Sequence, residues 1–381
     1  MIKLFQPNFE IDECLQEIRD CMEKGWTGVG YKTIQFEDDW KESMGYSHAL
    51  FLNSATAGLN LAVKVLGEKY KWNEKTEIIS TPLTFVSTNH AIIRNGYKCI
   101  FADVDDTFCL SVSSVERTIT KNTRAVMYVG YGGCAGNFCE IQELCKKYGL
   151  VLIVDASHMA GTRVNNKSKF DADAVIFSFH AVKNLPTGDS GMLCMKEGKL
   201  DEKARIMSWL GIDKNTYIRI NGDEYSWKYN VEYVGNKYNG NSIMASIGIV
   251  QLKYLERDNT KRRSIAEWYN EEFRFIGLNR KIKLQKIPQE CLPSRHLFPI
   301  LVENRNEVIG YLGRKGIQTG VHYQINTDYP MYACETGTCK HAEWISRHEI
   351  SLPMHVFLNE RDIRYIARVL NECVTPLNWR K

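Results

Sequence analysis

The sequence predicts an α/β fold with a mostly parallel central sheet in a large domain, followed by a smaller α+β domain. Short, nearly continuous apolar runs alternate with amphipathic segments over much of the chain, and this alternation is typical of strands buried by helices on both faces. The chain has 381 residues, more than a single hydrophobic core usually supports. We therefore expect two domains, residues 1–255 and residues 256–381.

The apolar pattern places the elements in order. An amphipathic helix is expected over residues 11–24, where Gly25 can cap its end, and a second over residues 35–44. The predicted strands of the large domain are 48–52, 77–80, 98–102, 125–129, 150–154, 174–177 and 192–195. The helices predicted between them are 58–66, 87–94, 112–118 and 139–147. A long helix over 242–262 should lead into the second domain, where we expect strands 297–302 and 350–352 and helices 306–315 and 360–373.

Composition excludes several classes of function. The net charge is +4 and no dense cluster of basic residues occurs, so binding to nucleic acid or to a membrane has no electrostatic support. No apolar stretch is long enough to span a bilayer and the first residues lack a signal-peptide pattern, so we expect a cytoplasmic protein. Cys334, Cys339 and His341 lie close together, but no Cys-x-x-Cys pair accompanies them, so we expect no metal site.

Polar residues follow several predicted strands at their carboxyl ends, where sheets of this kind bind ligands. The turn Ser54, Ala55, Thr56 precedes a helix, so it could hold a phosphate or could simply cap the helix. Asp155 ends a buried strand and needs a partner there, either a cationic ring nitrogen, an arginine or a helix N-terminus. Phe85 could stack on a ring or belong to the core.

Lys183 lies in a loop between the predicted strands 174–177 and 192–195. A lysine in such a loop is usually solvated, although a lysine amine with a lowered pKa can act as a nucleophile towards a carbonyl group. Together with Ser178, Asp155 and the turn 54–56, it completes the set of groups that pyridoxal 5′-phosphate (PLP) requires: an amine for the aldehyde, an acid for the ring nitrogen and donors for the phosphate. The sequence therefore predicts a PLP site.

The motifs resemble those of the DegT/StrS family of sugar aminotransferases, which have fold type I among PLP-dependent enzymes. The most specific motif is Ser178-Phe-His-Ala-Val-Lys-Asn-Leu185, which is similar to the family's Ser-Phe-x-x-x-Lys-x-Leu/Ile. Further matches, spread over most of the chain, lie at 25–30, 53–59, 81–88, 154–158, 320–323 and 351–355.

The resemblance implies a role for each site residue. The expected catalytic residues are Lys183, which would bind the cofactor aldehyde, Asp155, which would pair with the ring nitrogen, and His158, near the phenolic oxygen. The remaining residues expected to bind the cofactor are Ser54, Ala55, Thr56, Phe85, Ser178 and Lys237. Those expected to bind substrate are Trp26, Thr27, His322 and Tyr323. Enzymes of the family are dimers with shared sites, and Lys237 lies in a segment expected to reach the neighbouring subunit.

The resemblance also implies a reaction. An amino group would pass from L-glutamate to a keto group of a nucleotide-linked sugar, for biosynthesis of a surface polysaccharide or glycoconjugate, with pyridoxamine 5′-phosphate as the intermediate form of the cofactor. Ala55, Lys237 and Asn239 depart from the family's usual residues, and these departures leave the identity of the substrate open. Three alternatives stay open: a transaminase acting on a small phosphorylated ketone, a keto-deoxysugar dehydratase that depends on pyridoxamine 5′-phosphate (PMP), and a non-catalytic PLP-binding regulator. Lys183 disfavours the dehydratase, because that branch of the family carries histidine in place of the lysine.

Overall fold

The structure, a computed structural model, describes residues 1–213, 217, 228–335 and 337–377. Its helices in that part of the chain are Ile11–Glu23 (α1), Tyr31–Met44 (α2), Ala55–Lys69 (α3), Val86–Arg94 (α4), Val112–Thr118 (α5), Phe138–Tyr148 (α6), Gly198–Ser208 (α7), Ser242–Phe275 (α8), Arg305–Arg314 (α9), Lys340–His348 (α10) and Glu360–Cys373 (α11). Its strands are Leu50–Leu52 (β1), Glu77–Ser80 (β2), Lys98–Phe101 (β3), Thr123–Val129 (β4), Val151–Asp155 (β5), Arg163–Val164 (β6), Ala174–Ser178 (β7), Gly191–Met195 (β8), Lys283–Leu284 (β9), Cys291–Leu292 (β10), Phe298–Leu301 (β11) and Glu349–Leu352 (β12).

The central sheet has seven strands in the order β1-β8-β7-β5-β4-β2-β3. The pairs from β7 to β3 are parallel, whereas β8 runs antiparallel to both of its neighbours, β1 and β7. The predicted α/β class with a mostly parallel sheet is therefore confirmed. Because all of these strands except β8 run in one direction, the residues that follow β1, β2, β4, β5 and β7 meet at one edge of the sheet.

Helices cover both faces of this sheet. Alternate residues of β5 point to opposite sides, so that Ile153 packs in a cluster with α3, α4 and α7, while Leu152 and Val154 pack in a cluster with α2 and α6. A third cluster joins α9 and α11 to a smaller sheet, in which β11 pairs antiparallel with β9 and β12. These layers bury both faces of β5, which explains its unbroken apolar sequence.

The long helix α8 connects these regions. Its first half packs against α1 and α2 and contributes Ile249 and Leu255 to the cluster that contains Val154, while its second half contributes Ile265 and Phe273 to the cluster of the smaller sheet. The helix α8 therefore passes from one hydrophobic core to the other between residues 255 and 265. A domain boundary after residue 255 stays a prediction.

The first residues of the chain pack against the C-terminal region. The backbone N–H of Ile2 donates to Gly316, and the N–H groups of Gln318 and Met354 donate to Ile2 and Leu4. Residues 2–4 therefore add an extended segment beside the smaller sheet. In the part of the chain that the structure describes, no helix combines the length and the apolar character needed to cross a membrane.

Candidate active site

A cavity of about 260 Å³ lies at the carboxyl edge of the central sheet. The residues from the sequence prediction that line it are Ser54, Ala55, Thr56, Phe85, Asp155, His158, Ser178, Lys183, His322 and Tyr323. They come from the ends of β1, β5 and β7, from the start of α4 and from the segment before α10, so the fold brings together residues that are up to 269 positions apart in the chain.

Lys183 is carried by the tight connection between β7 and β8. Its backbone N–H donates to His180 over 2.8 Å, and the N–H of Thr187 donates to Phe179 over 2.9 Å. The residue is partly exposed as a whole, but the surrounding protein removes water from its amine. This burial lowers the pKa of Lys183 to about 8, although the nearby Asp155 carboxylate favours the protonated amine.

Asp155 is buried, with 4% of its surface exposed, and its carboxylate is held from two sides. The Thr88 hydroxyl donates to Oδ2 over 2.7 Å. The backbone N–H and the hydroxyl of Ser157 donate to Oδ1 over 3.0 and 2.5 Å. These three hydrogen bonds fix the carboxylate at the cavity wall, where its remaining lone pairs are available to a cationic partner.

The turn after β1 begins α3 at the cavity. The Ser54 hydroxyl caps this helix by accepting from the N–H of Ala57 over 3.1 Å. The N–H groups of Ala55 and Thr56 have no partner within the helix, since the first turn of any helix leaves its donors free. Together with the positive end of the helix dipole, these donors form a site suited to an anion.

Gly191, at the start of β8, lets this turn and the end of β7 pack closely against β8. A Cβ at this position would lie 2.6 Å from the backbone nitrogen of Ala55 and 2.8 Å from the carbonyl oxygen of Phe177. Both neighbours are backbone atoms, so no side-chain rotation could relieve the contact. The close packing of β8 against Ala55 therefore depends on the absence of a side chain at Gly191.

His158 is held in one tautomer. The backbone N–H of Gly132 donates to its Nδ1 over 3.1 Å, so Nδ1 is unprotonated. Burial and the nearby positive charge of Lys183 lower the pKa of His158 well below its usual value, so the ring is neutral and its proton lies on Nε2. The distance from Nε2 to the Tyr323 hydroxyl is 2.9 Å, so His158 donates to Tyr323.

Several residues of the cavity were not predicted from the sequence. His296 lines it with 1% of its surface exposed, and its ring stacks on Phe5 at 5.4 Å and lies 4.5 Å from His158. The Oδ1 atom of Asn184, the residue after Lys183, is 3.1 Å from Nδ1 of His296. His296 lies two residues before β11 and Phe5 lies before the first helix, and neither position carries a local motif that would have indicated a site.

Three of the predicted residues lie outside this cavity in the single chain. Trp26 packs against Tyr217, and the carbonyl of Thr27 accepts from the N–H at the start of α8. The amine of Lys237 lies 3.1 Å from the ring centroid of Trp209. Lys237 does line a neighbouring cavity of about 270 Å³ that also contacts Ser54 and Thr56.

The described part of the chain contains no cluster of three or more histidine, cysteine or acidic side chains placed to hold a metal ion. Cys339 is buried, and Nε2 of His341 lies 3.2 Å from a carboxylate oxygen of Asp106. The side chain of Cys334 lies outside the described residues.

The chain was then compared with known proteins. The model of the DegT/DnrJ/EryC1/StrS aminotransferase family matches residues 9–371. A UDP-4-amino-4,6-dideoxy-N-acetyl-beta-L-altrosamine transaminase of Campylobacter jejuni is 31% identical over 372 residues, which cover 95% of this chain and 93% of the relative. The spore coat polysaccharide biosynthesis protein SpsC of Bacillus subtilis is 31% identical over 384 residues, with 95% and 94% covered.

Solved structures agree with this assignment. The putative sugar aminotransferase Spr1654 of Streptococcus pneumoniae is known in a PLP form and a PMP form, both 25% identical to this chain. Its PMP form superimposes with a TM-score of 0.88 and covers 98% of each chain. The chain therefore belongs to the DegT/DnrJ/EryC1/StrS aminotransferase family and is an aminotransferase whose cofactor is pyridoxal 5′-phosphate.

Proposed function

We propose that this enzyme transfers an amino group from L-glutamate to the keto group of a nucleotide-linked sugar, in the biosynthesis of a surface polysaccharide or glycoconjugate. The observation that carries the proposal is that the amine-bearing Lys183, the buried Asp155 and the N-terminus of α3 line one cavity. The names of the Campylobacter and Bacillus relatives support the substrate class.

The charged and polar groups of the cavity are complementary to those of the cofactor. The free N–H groups of Ala55 and Thr56 and the hydroxyl of Ser178 suit the phosphate, and Gly191 lets β8 pack closely against the turn that carries these N–H groups. Asp155 suits a protonated ring nitrogen, because its carboxylate is buried and fixed by three hydrogen bonds. When bound, PLP supplies an aldehyde and a ring that accepts electron density from the carbon that loses its proton.

The side chains of this chain would supply the proton transfers and the orientation. The Lys183 amine, with its lowered pKa, carries the proton between the amino acid and the cofactor side of the cavity. His158 stays neutral and directs Nε2–H towards Tyr323, whose hydroxyl proton is then free to be donated into the cavity. Phe85, of which 57% is exposed at the cavity mouth, would cover one face of the ring.

The experiment that tests this function has two halves. L-glutamate added to the PLP-loaded enzyme should change the absorbance of the bound cofactor and release one 2-oxoglutarate per active site. The enzyme treated with glutamate should then convert nucleotide-linked keto sugars to amino sugars, detected by mass spectrometry, and should leave small keto phosphates unreacted. The Lys183→Ala variant should be inactive in both halves, and turnover by that variant or a preference for keto phosphates would contradict the proposal.

We further propose that the enzyme is a homodimer and that Trp26, Thr27 and Lys237 act at the cavity of the partner subunit. In support, these three residues lie outside the cavity of their own chain, and Val234, three residues before Lys237, is 96% exposed. An apolar side chain so fully exposed beside a candidate binding residue fits a surface that another subunit covers.

Mixing two inactive variants tests the shared site. A Lys183→Ala subunit paired with a Lys237→Ala subunit leaves one of the two sites intact only if Lys237 acts in the partner. Random reassociation should then restore about a quarter of the wild-type sites, since half of the dimers are mixed and each has one intact site. If Lys237 acted in its own chain, mixing would restore no activity.

A further inference from the structure

A buried carboxyl group lies behind the cavity, at the start of β12. Glu349 has none of its surface exposed, and two groups contact its carboxyl oxygens. The backbone N–H of His322 donates to Oε2 over 2.7 Å, and the hydroxyl of Ser351 lies 2.5 Å from Oε1. The same hydroxyl lies 2.8 Å from Nδ1 of His322. The three side chains therefore form one continuous line from a buried acid to a histidine that lines the cavity.

We propose that Glu349 is a positioning residue which, through Ser351, determines which ring nitrogen of His322 carries the proton, and so whether His322 presents a hydrogen-bond donor or an acceptor to the substrate. A serine hydroxyl has a single proton, so it can donate to only one of its two neighbours here. The neighbour that does not accept this proton, either Glu349 or His322, must then donate its own proton to the serine oxygen.

With Glu349 ionised, its Oε1 can only accept, so the Ser351 hydroxyl donates to it. His322 must then donate from Nδ1 to the serine oxygen, which leaves Nε2 unprotonated as an acceptor. With Glu349 protonated, the carboxyl donates to the serine oxygen and the serine donates to Nδ1 of His322. The ring proton is then on Nε2, which becomes a donor.

Both protonation states of Glu349 are accessible near neutral pH. Burial raises the pKa of Glu349 to about 8, and the hydrogen bonds from Ser351 and His322 and the charge of Arg305 only partly offset this effect. Burial and the positive charge of Lys183 lower the pKa of His322 to about 4. The imidazole is therefore neutral at pH 7, and its two neutral tautomers are the states that Glu349 selects between.

Other titratable groups of the described chain also face this line of side chains. Tyr323 and Tyr131 face the carboxyl group, and burial raises the pKa of both phenols, as do the charges of Asp155 at Tyr323 and of Glu349 at both, so that both stay neutral. His158 and His296 face His322, and burial lowers the pKa of both rings well below its usual value. Lys183 faces His322 from the cavity and titrates near the same pH as Glu349, so an experiment must separate the two.

Nε2 of His322 is the nitrogen available to a ligand. Its partner nitrogen is occupied by Ser351, and no other group of the described chain hydrogen-bonds to Nε2. The inference rests on the proposed function in one respect, namely that the ligand of this nitrogen is the substrate. The tautomer itself is a property of the protein without substrate.

The test is the ¹⁵N spectrum of histidine-labelled, PLP-loaded enzyme recorded without substrate across pH 6–10. The His322 signals are assigned by their loss in His322→Asn. We expect the Nε2–H tautomer below pH 8 and the Nδ1–H tautomer above it. Glu349→Gln should hold the Nε2–H tautomer at every pH, because the amide donates to Ser351 as the protonated acid does, while its carbonyl still accepts from the His322 N–H.

Ser351→Ala is the matched control, since it keeps Glu349 but removes the link, and the tautomer should then no longer follow pH. A wild-type tautomer that stays constant over this range would overturn the inference. So would an inversion that persists in Glu349→Gln, because that variant retains every other titratable group of the cavity and the cause would then lie among those groups. Since no substrate is present, these outcomes do not depend on whether the enzyme aminates a nucleotide-linked sugar.

Discussion

Gly191→Ala should weaken PLP binding. The new Cβ would lie 2.6 Å from the Ala55 nitrogen, whereas ordinary contact begins at 3.4 Å, so the start of α3 would have to move away by about 0.8 Å. Such a shift displaces the N–H groups that we assign to the phosphate. Overpacking of this kind costs about 1–3 kcal/mol, which corresponds to an increase of about 5- to 150-fold in the dissociation constant if the cost falls on the bound state.

The assay is a titration of cofactor-free enzyme with PLP, followed by absorbance, with thermal unfolding of the same cofactor-free samples. Gly313→Ala is a suitable control, because a Cβ at that position in α9 meets no atom within 4 Å. Wild-type affinity for PLP in Gly191→Ala would refute the reasoning. An equal loss of affinity in Gly191→Ala and Gly313→Ala would also refute it, because only the Cβ at position 191 would contact Ala55.

Further predictions concern the two charged groups of the cavity. Thr88→Val removes the hydroxyl that donates to Asp155, and it should lower the free energy of unfolding by about 1.5–3 kcal/mol, as measured with urea, because the bond is made to a buried charge. Thr118→Val, whose hydroxyl donates to a backbone carbonyl, should cost less; an equal cost for both would contradict the argument. In cofactor-free enzyme the Lys183 amine, with a pKa of about 8, should react with an acylating reagent at a rate that is half-maximal near pH 8, as followed by peptide mass spectrometry. Asp155→Asn should shift that midpoint to lower pH, because the carboxylate favours the protonated amine; a midpoint near pH 10.5 in the wild type would show that the amine is solvated.

The fold was predictable where a short stretch of sequence is enough to indicate a strand or a helix. The parallel strands are continuous apolar runs, and their sequence records burial on both faces. The start of α2 at Tyr31 rather than at residue 35 was missed, because the helix begins through hydrogen bonds between the Thr33 hydroxyl and Gly30 rather than through a recognisable cap at residue 34. The antiparallel direction of β8 also has no local sign, since its apolar run resembles those of the parallel strands.

The cavity was predictable where residues follow strands in a motif. Ser178, Lys183 and Asp155 were placed at one edge of the sheet by the sequence, and they line one cavity. Glu349 and His296 were not found, because their importance depends on contacts with residues distant in the chain. Glu349 acquires its role only when β12 brings Ser351 and the His322 loop together, and a single acidic residue before a strand has no pattern that indicates this.

The long helix α8 has a consequence for how the protein unfolds. Its 34 residues span about 51 Å, and one end is held by the core under the central sheet while the other is held by the core of the smaller sheet. Melting either core would expose the apolar face of half of this helix and remove support from the other half. The two regions should therefore lose structure together, and calorimetry of the cofactor-free enzyme should record a single cooperative transition rather than two.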